Sequence, residues 1–224
     1  MKLSLKPAVA ALVLAAPMVA FGAEYEIDPA HSSAQFAVKH MMVSTVRGAF
    51  EKVAGKVNID ETDITKSSVE ATIDAASINT RVGQRDEHLR SPDFFDVAKY
   101  PTITFKSTKV EKAGQNLKVT GDLTIHGVTK PVTLDVDGFT TESKDPWGNI
   151  KRGGTATTKI NRKDFGLAWN AALETGGVAV SEDVSIILDL EMNKKKEAAP
   201  AAAAPAAKPA TPAAPAKPAA KGTK

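Results

Sequence analysis

The sequence predicts an all-β protein, an antiparallel β-barrel with one short helical connector around residues 83–99. Most of the chain between residues 23 and 197 alternates apolar and polar residues, which is typical of strands with one buried face. Helical periodicity is confined to residues 83–99 and, more weakly, to Met41–Val46. Two stacked sheets would also satisfy this pattern. We favour a barrel of about eight strands, because closure removes exposed backbone edges and leaves an interior wide enough for one small ligand.

The first 22 residues have the composition of a secretory signal peptide. Lys2 and Lys6 precede an apolar run from Ala8 to Ala20, and small residues follow. The run is too short to cross a membrane, which argues against the alternative of a retained anchor. Cleavage is expected before Ala23, with cleavage after Ala23 as the alternative.

Strands in the mature body are indicated by alternation on one face. The early strands present two such faces, formed by Ala34, Phe36, Val38 and His40, and by Val69, Ala71, Ile73 and Ala75. The clearest hairpin follows later, with a turn at residues 127–130. Its two strands and the last strand present Leu117, Val119, Gly121, Leu123 and Ile125; then Val132, Leu134 and Val136; and finally Val184, Ile186, Leu188, Leu190 and Met192. Turn-rich stretches at residues 144–149 and 151–154 separate the rest.

The connector interrupts this pattern of strands. Gln84–Arg90 contains no glycine, proline or β-branched residue and predicts a short helix. Pro92 ends that helix, and a second turn follows before a strand from Thr102 to Ser107. Phe94 and Phe95 lie between the two, where their rings can close one end of a sheet.

Three segments resemble the signature of the YceI-like family. They are Arg85-Asp86-x-His88-Leu89-Arg90-Ser91 with Asp93-Phe94-Phe95 and Lys99-Tyr100-Pro101-x-x-x-Phe105, the run from Gly121 to Val132, and the run from Asn161 to Leu167. The resemblance covers about Ala23–Asn193. It implies a lipocalin-like barrel in the periplasm that binds a polyisoprenoid, with quinone-like or fatty-acid-like lipids as variants, and without a cofactor. The domain order is then a signal peptide (1–22), a YceI-like barrel (23–197) and a tail (198–224).

Charge and cysteine content exclude several classes of function. The chain contains no cysteine, which excludes disulfides, a thiol nucleophile and thiolate metal sites. Without the signal peptide and the tail, 23 basic residues stand against 26 acidic ones. This mildly acidic body argues against a nucleic-acid surface.

The tail, residues 198–224, consists almost entirely of alanine, proline and lysine. Repeated prolines prevent a continuous helix, and no side chain is large enough to form a core, so we expect a disordered cationic tether. A solvated tail without a partner is the favoured interpretation. Weak contact with an anionic cell-wall polymer or membrane surface is the alternative, and the tail's composition departs from the usual end of the family.

The usual catalytic motifs are missing from the sequence. No Gly-x-Ser-x-Gly, His-Glu-x-x-His or phosphate-binding glycine loop occurs, and the four histidines are scattered. A metal held by distant strands is a minor alternative, and no metal site is predicted. His40 and Arg47 admit two interpretations each, as structural residues or as polar contacts for a ligand head group. The cluster around Arg85 is interpreted as an ion-pair network that fixes the connector.

Aromatic and small side chains are spread over elements that a barrel would bring together. A solid core is the alternative, but small inward residues such as Ala34, Ala71, Ala75 and Gly121 favour room for a long, thin guest. The predicted ligand-binding residues are Phe36, Val38, His40, Arg47, Phe50, Ile73, Phe94, Phe95, Phe105, Leu123, Ile125, Leu134, Phe165, Leu167 and Trp169. The favoured function is a lipid carrier. An enzyme acting on a quinone or isoprenoid through His40, Arg47 or His88, and a structural envelope protein, are the alternatives, and a homodimer is compatible with the fold.

Overall fold

The computed structural model describes residues 22–139, 141–174 and 176–196. The expected tail and all of the expected signal peptide except Gly22 lie outside these residues. The strands are β1 Ala23–Ile27, β2 Ser33–His40, β3 Ser44–Phe50, β4 Val53–Ile59, β5 Ser68–Asp74, β6 Ile78–Asn79, β7 Thr102–Ala113, β8 Asn116–Ile125, β9 Val128–Asp137, β10 Ser143–Lys144, β11 Ile150–Asn161 and β12 Val180–Lys194. The helix α1 is Gly83–Arg90, and short 3₁₀ turns lie at Ile64–Lys66, Ala75–Ser77 and Arg162–Phe165.

Eight antiparallel strands form a closed ring in the order β1-β4-β5-β7-β8-β9-β11-β12. The β11–β12 pair closes it, with eleven consecutive residues of each strand in register from Lys151 opposite Asn193 to Asn161 opposite Asp183. The other edge of β12 is shared, since β1 pairs with its C-terminal end and β2 with the rest. β3 and β6 continue outward from β2. The predicted antiparallel barrel is therefore confirmed.

Four local predictions need correction. Residues 41–46 are not helical: Met41–Val43 form a turn, and β3 begins at Ser44. The β8–β9 turn is only His126-Gly127, both with positive φ, because Val128 already pairs with Ile125. Residues 151–154 lie inside β11 rather than in a turn. The predicted strand Thr102–Ser107 extends to Ala113.

The glycines of β11 explain why a turn was predicted there. A Cβ at Gly154 would clash with the backbone oxygen of Asp137 and lie 2.8 Å from the ring of Phe139. Glycine inside a strand often marks such a close approach rather than a break in the strand.

The connector is a single turn-rich segment that begins with α1. Beyond Arg90 the chain forms turns up to the start of β7, and the predicted turn after Pro92 is among them. Asp86 is buried and accepts hydrogen bonds from the backbone N–H and the Oγ1 of Thr80, at 2.8 and 2.5 Å. Arg90 donates to the carbonyls of Ala76 and Ile78 at 2.8 and 2.7 Å. The polar cluster thus fixes the connector through backbone hydrogen bonds more than through ion pairs.

The ring has two ends, which we name by the side chains that lie there. The end with α1, the His126-Gly127 turn, the 3₁₀ turn at Arg162–Phe165 and the β2–β3 turn is the aromatic end. The opposite end, with residues 60–66, 138–139 and 141–149, is the charged end. Among the described residues, no helix has the length and apolar character that a membrane crossing requires.

Candidate functional site

A cavity of about 250 Å³ lies inside the ring. On the same measure a single water needs only about 10–15 Å³, so the barrel is hollow and the solid-core alternative fails. The wall is formed by the inward residues of the ring strands and β2, by Leu89 of α1 and by the connector rings Phe94 and Phe95. The polar residues on the lining are Gln35, Ser67, Thr104, Thr158 and Arg162. An interior of this composition offers apolar contact and few hydrogen-bonding groups.

Eleven of the fifteen predicted ligand-binding residues lie on this wall. They are Phe36, Val38, Phe50, Ile73, Phe94, Phe95, Phe105, Leu123, Ile125, Leu134 and Leu167. Alternation placed the strand residues correctly, because each second residue of a ring strand faces the interior. Whether these side chains contact a ligand stays a prediction.

His40 and Arg47, which were expected to offer polar contacts to a ligand, lie outside the lining. His40 is exposed at the end of β2, opposite Val180 and beyond a β-bulge in β12 between Val180 and Val184. Arg47 is exposed because it alternates with Phe50, Gly48 and Val46, which face the other side of β3.

Phe165 and Trp169 are the other two residues that the structure places elsewhere. Phe165 is 2% exposed and belongs to the packed core rather than to the wall. Trp169 lies in the segment after the 3₁₀ turn and packs against Phe94 and His88 of the connector. Aromatic content alone cannot distinguish a ring that faces a hollow from one buried beside it.

The small residues divide in the same way. Ala34 and Ala71 line the cavity, whereas Ala75 is buried in a 3₁₀ turn. Gly121 makes room for a protein side chain rather than for a guest, since a Cβ there would lie 2.5 Å from the ring of Phe105. Two of the four small residues that were expected to make room for a guest therefore lie on the cavity wall.

Several lining residues were missed. Val53, Val57 and Ile59 of β4 line the cavity, and their alternation was readable in the sequence. Leu89 could not be found in this way, because one apolar residue in an eight-residue helix gives no periodic signal. Arg162 was quoted as part of a motif, without a role.

Rings cluster at the aromatic end in two groups. Phe50 stands between Phe36, at 5.8 Å, and Phe95, at 5.5 Å in an edge-to-face arrangement. Phe94 contacts His88 at 5.1 Å and Trp169 at 5.2 Å between ring centroids. Such pairs are worth about 0.5–1.5 kcal/mol beyond the area they bury.

Arg162 holds the neighbouring segment, residues 167–174 and 176–180, against the barrel. It is 4% exposed and donates to four carbonyls, those of Ser181 at 2.9 Å, Trp169 at 2.8 Å, Val180 at 3.3 Å and Leu167. Burial lowers the pKa of its guanidinium, which nevertheless stays charged at neutral pH. The cavity thus has a cation on its wall at the aromatic end.

The charged end is built around Arg152, which is 7% exposed. Its guanidinium donates to both carboxylate oxygens of Glu61, at 2.8 and 3.0 Å, and to the hydroxyl of Tyr25 at 2.9 Å. Tyr25 in turn donates to Glu142 at 2.5 Å, and Lys194 donates to the same carboxylate at 2.9 Å. The hydrogen bonds from Tyr25 and Lys194 lower the pKa of Glu142 to about 2, whereas burial raises the pKa of Tyr25.

One group of side chains has the composition of a metal site. Ligand atoms of Asp28, His31 and Glu191 lie within 4.8 Å of one another. However, the ammonium of Lys151 lies 2.5 Å from Glu191 and 3.4 Å from Asp28. A hydrogen bond from His31, assisted by others from Ala30, Asn193 and Lys151, holds the pKa of Asp28 well below its usual range. The positive charge at this position is therefore supplied by the protein, and the group is an ion-pair network.

Sequence comparisons agree with this architecture. The family model of the YceI-like domain matches residues 25–192. A UPF0312 protein of Vibrio parahaemolyticus is 42% identical over 170 residues, which cover 75% of this chain and 89% of that protein. Another, from Ectopseudomonas mendocina, is 38% identical over 193 residues, covering 84% and 97% of the two chains.

Solved structures show the same fold. Burkholderia cenocepacia BcnA matches with a TM-score of 0.62 and 28% identity, covering 74% of this chain and 98% of that one. The Campylobacter jejuni YCEI protein matches with a TM-score of 0.60 and 33% identity, covering 70% and 90%. A polyisoprenoid-binding domain of Saccharophagus degradans is similar in fold, with a TM-score of 0.54 at 20% identity over 76% and 98% of the chains. With the family model matching most of the chain, the protein belongs to the YceI-like family.

Proposed function

We propose that this protein is a periplasmic lipid-binding protein that holds a long isoprenoid or similar amphiphile inside its barrel, for transport, storage or sequestration. The single observation that carries the proposal is the hollow interior with its almost entirely apolar wall. An empty apolar cavity of this size forgoes the packing that a filled core would gain, so a guest that fills it stabilises the protein.

The guest is expected to be long and almost entirely apolar. Burying about ten methylene-sized groups is worth on the order of 8 kcal/mol before the costs of association and ordering. Micromolar or tighter affinity then needs no covalent bond. The description of the Saccharophagus degradans domain as polyisoprenoid-binding supports an isoprenoid as the class of guest.

The periplasmic location is supported by the expected signal peptide at residues 1–22. Cysteine-free composition suits an envelope protein that needs no oxidative folding.

Holding the guest is favoured over converting it. Two of the three residues that the enzymatic alternative would use, His40 and Arg47, lie outside the lining. The third, His88, packs its ring against Phe94 and Trp169 and lies 2.9 Å from Asp93. These contacts support a role in closing the aromatic end.

Solvent extraction of the protein as isolated from its own cells, followed by mass spectrometry, tests the proposal. We expect one class of long-chain lipid at a reproducible molar ratio. Protein that is consistently empty and also fails to take up isoprenoid or quinone analogues would refute it.

A pair of variants on β5 makes the test specific to the cavity. Ala71→Trp places an indole into the cavity, whereas Thr72→Trp places the same group on the exposed face of the strand. The first variant should lose at least about tenfold in lipid content, and the second should keep it. Equal lipid content in two folded variants would mean that the lipid binds elsewhere.

A further inference from the structure

We infer that the β2–β3 hairpin docks the protein on an anionic lipid bilayer, with its tip inserted among the lipid head groups. The docking tip consists of Met41, Met42 and Val43, which are 46%, 63% and 86% exposed. Three consecutive exposed apolar side chains at the end of a hairpin are unusual on a soluble protein, where turns are polar.

The backbone of the tip adopts a conformation that disfavours these residues. Met41 and Met42 have φ values of 50° and 59°, and the N–H of Val43 donates to the carbonyl of His40 at 3.0 Å. A turn with positive φ at both central positions normally carries Asn-Gly, because side chains with a Cβ are strained there. The two methionines therefore cost free energy in the turn, although about half of each side chain stays exposed to solvent.

Charge along the hairpin favours an anionic surface as the occupant. No aspartate or glutamate occurs from Phe36 to Phe50, whereas Lys39 and Arg47 lie behind the tip. In the described part of the chain, neither cation has a carboxylate within ion-pairing distance. Basic side chains behind an apolar tip match the arrangement by which proteins bind anionic membranes.

Neighbouring acids do little to offset this charge. Two acids at the start of β12 are each paired with a lysine. Glu182 lies 2.5 Å from Lys163, and Asp183 lies 2.5 Å from Lys159. Glu174, in the adjoining segment, is an exposed acid that would weaken the attraction.

The tip is continuous with the cavity wall. Val38 of β2 and Val180 of β12 line the cavity. His40, which ends β2, pairs with Val180. The N–H of Met41 donates to the carbonyl of Ala179 at 2.8 Å. Docking through this tip would bring the aromatic end to the membrane. In linking docking to the uptake of a bilayer lipid, the inference rests on the proposed function, whereas the docking itself does not.

Vesicle flotation tests the inference. The protein as isolated from cells is mixed with vesicles of phosphatidylcholine alone or of phosphatidylcholine with phosphatidylglycerol. We expect binding to the anionic vesicles, weakened by salt. The double variant Met41→Asn/Met42→Gly removes both apolar side chains and supplies the residues that the turn favours. It should bind about tenfold more weakly or worse, while its urea midpoint stays unchanged or rises.

Replacing the cations separates charge from insertion. Lys39→Gln and Arg47→Gln should each weaken binding about fivefold and reduce its salt dependence. Unchanged vesicle binding in the folded Met41→Asn/Met42→Gly variant would overturn the inference. Binding that depends on residues 198–224 alone would also overturn the inference. In that case the variants of the tip and of its two cations, which all keep the tail, would bind the vesicles as well as the native protein does.

Insertion can be observed directly, because the native chain has no cysteine. An environment-sensitive fluorophore on Val43→Cys should shift to the blue when anionic vesicles are added. The matched control is Trp147→Cys, since Trp147 is 83% exposed but lies in the charged end. Equal shifts at both positions would contradict insertion through the tip.

Three further outcomes are distinguishable. If the tip covers a second copy of the chain instead, sedimentation without vesicles will show a dimer that the Met41→Asn/Met42→Gly variant converts to a monomer, and the inference falls. If extraction finds a lipid but flotation fails, docking is wrong and the proposed function stands. If flotation succeeds but extraction never finds a lipid, docking stands and the proposed function is wrong.

Discussion

The two ends of the barrel differ in the kind of contact that closes them. At the charged end, Arg152 joins β11 to β1 and to the segment of Glu61 through side-chain hydrogen bonds of fixed direction. At the aromatic end, Phe50, Phe94 and Phe95 pack through rings, and Arg162 binds carbonyls of the segment after the 3₁₀ turn and of the first residues of β12.

This difference indicates which end can open. Arg152 is the buried centre of a hydrogen-bonded network with several partners, so the charged end is expected to move as a whole or not at all. Ring contacts are not strictly directional, and rings can rearrange around a guest at lower cost. We therefore expect a lipid to enter and leave at the aromatic end, beside the docking tip.

The largest effect should come from breaking the charged end. Arg152→Met leaves Glu61, Glu142 and Tyr25 without their central partner, in the strand pair that closes the ring. We expect the free energy of unfolding to fall by about 3 kcal/mol, because the remaining carboxylates are partly exposed and water compensates them in part. Urea denaturation measures this loss. Lys159→Met is the control, since its ion pair with Asp183 is exposed on both sides, and it should change stability by less than about 1 kcal/mol. Equal losses in the two variants would mean that the charged end is not a structural closure.

A smaller and local effect is expected at Arg162. Arg162→Met removes a donor from the carbonyls of Leu167, Trp169, Val180 and Ser181, at a cost on the order of 1–3 kcal/mol. Because these carbonyls lie between the 3₁₀ turn and the first residues of β12, hydrogen exchange should rise mainly in that stretch, residues 167–174 and 176–181. Uniformly faster exchange, including the β8–β9 hairpin, would contradict a positioning role confined to this segment.

Sequence reasoning succeeded where the signal is local and periodic. β8 and β9 alternate over their whole length, so their inward faces, including Leu123 and Leu134, were predicted correctly. The helix of the connector was predicted within one residue of its start, because Pro92 marks where it must end.

It failed where distant segments decide the outcome. Lys151-Arg152-Gly153-Gly154 has the composition of a turn, yet the close approach of β9 and Phe139 makes glycine necessary inside a strand. The partners of Arg152 are 91 residues away at Glu61 and 127 residues away at Tyr25. Nothing in the composition of any one of these segments indicates that pairing.

Removing a ring from the aromatic end should affect ligand exchange more than stability. Phe94 faces the cavity on one side, so Phe94→Ala deletes contacts with His88 and Trp169 but enlarges a space that is already empty. We expect a loss of about 2 kcal/mol, below the 3–5 kcal/mol that is usual for a packed ring. Release of a bound lipid analogue should become about tenfold faster. Phe165→Ala is the comparison, because that fully packed ring should show the opposite balance, with a larger loss of stability and less effect on release.

The smallest effect concerns the pH dependence of the charged end. Hydrogen bonds from Tyr25 and Lys194 lower the pKa of Glu142 in the folded protein from its ordinary value of 4.5 to about 2. A carboxylate whose pKa is lowered by folding contributes stability that is fully present above its ordinary pKa and is lost as the pH falls through the folded value. The Glu142→Gln variant should therefore be less stable than the native protein at neutral pH. The difference in urea midpoint should shrink between pH 4.5 and 2.

Exposure limits the size of this effect, because the Glu142 side chain is 36% exposed and water screens its interactions. Glu174→Gln is the matched control, since Glu174 lies in an exposed segment and makes no side-chain hydrogen bond within the described residues. Its difference from the native protein should stay near zero at every pH. A Glu142→Gln difference that persisted unchanged at pH values near 2 would show that the side chain acts through its shape or its hydrogen bonds alone. In that case the ionised carboxylate would not be what joins Tyr25 to Lys194, and Arg152 with Glu61 would have to hold the charged end.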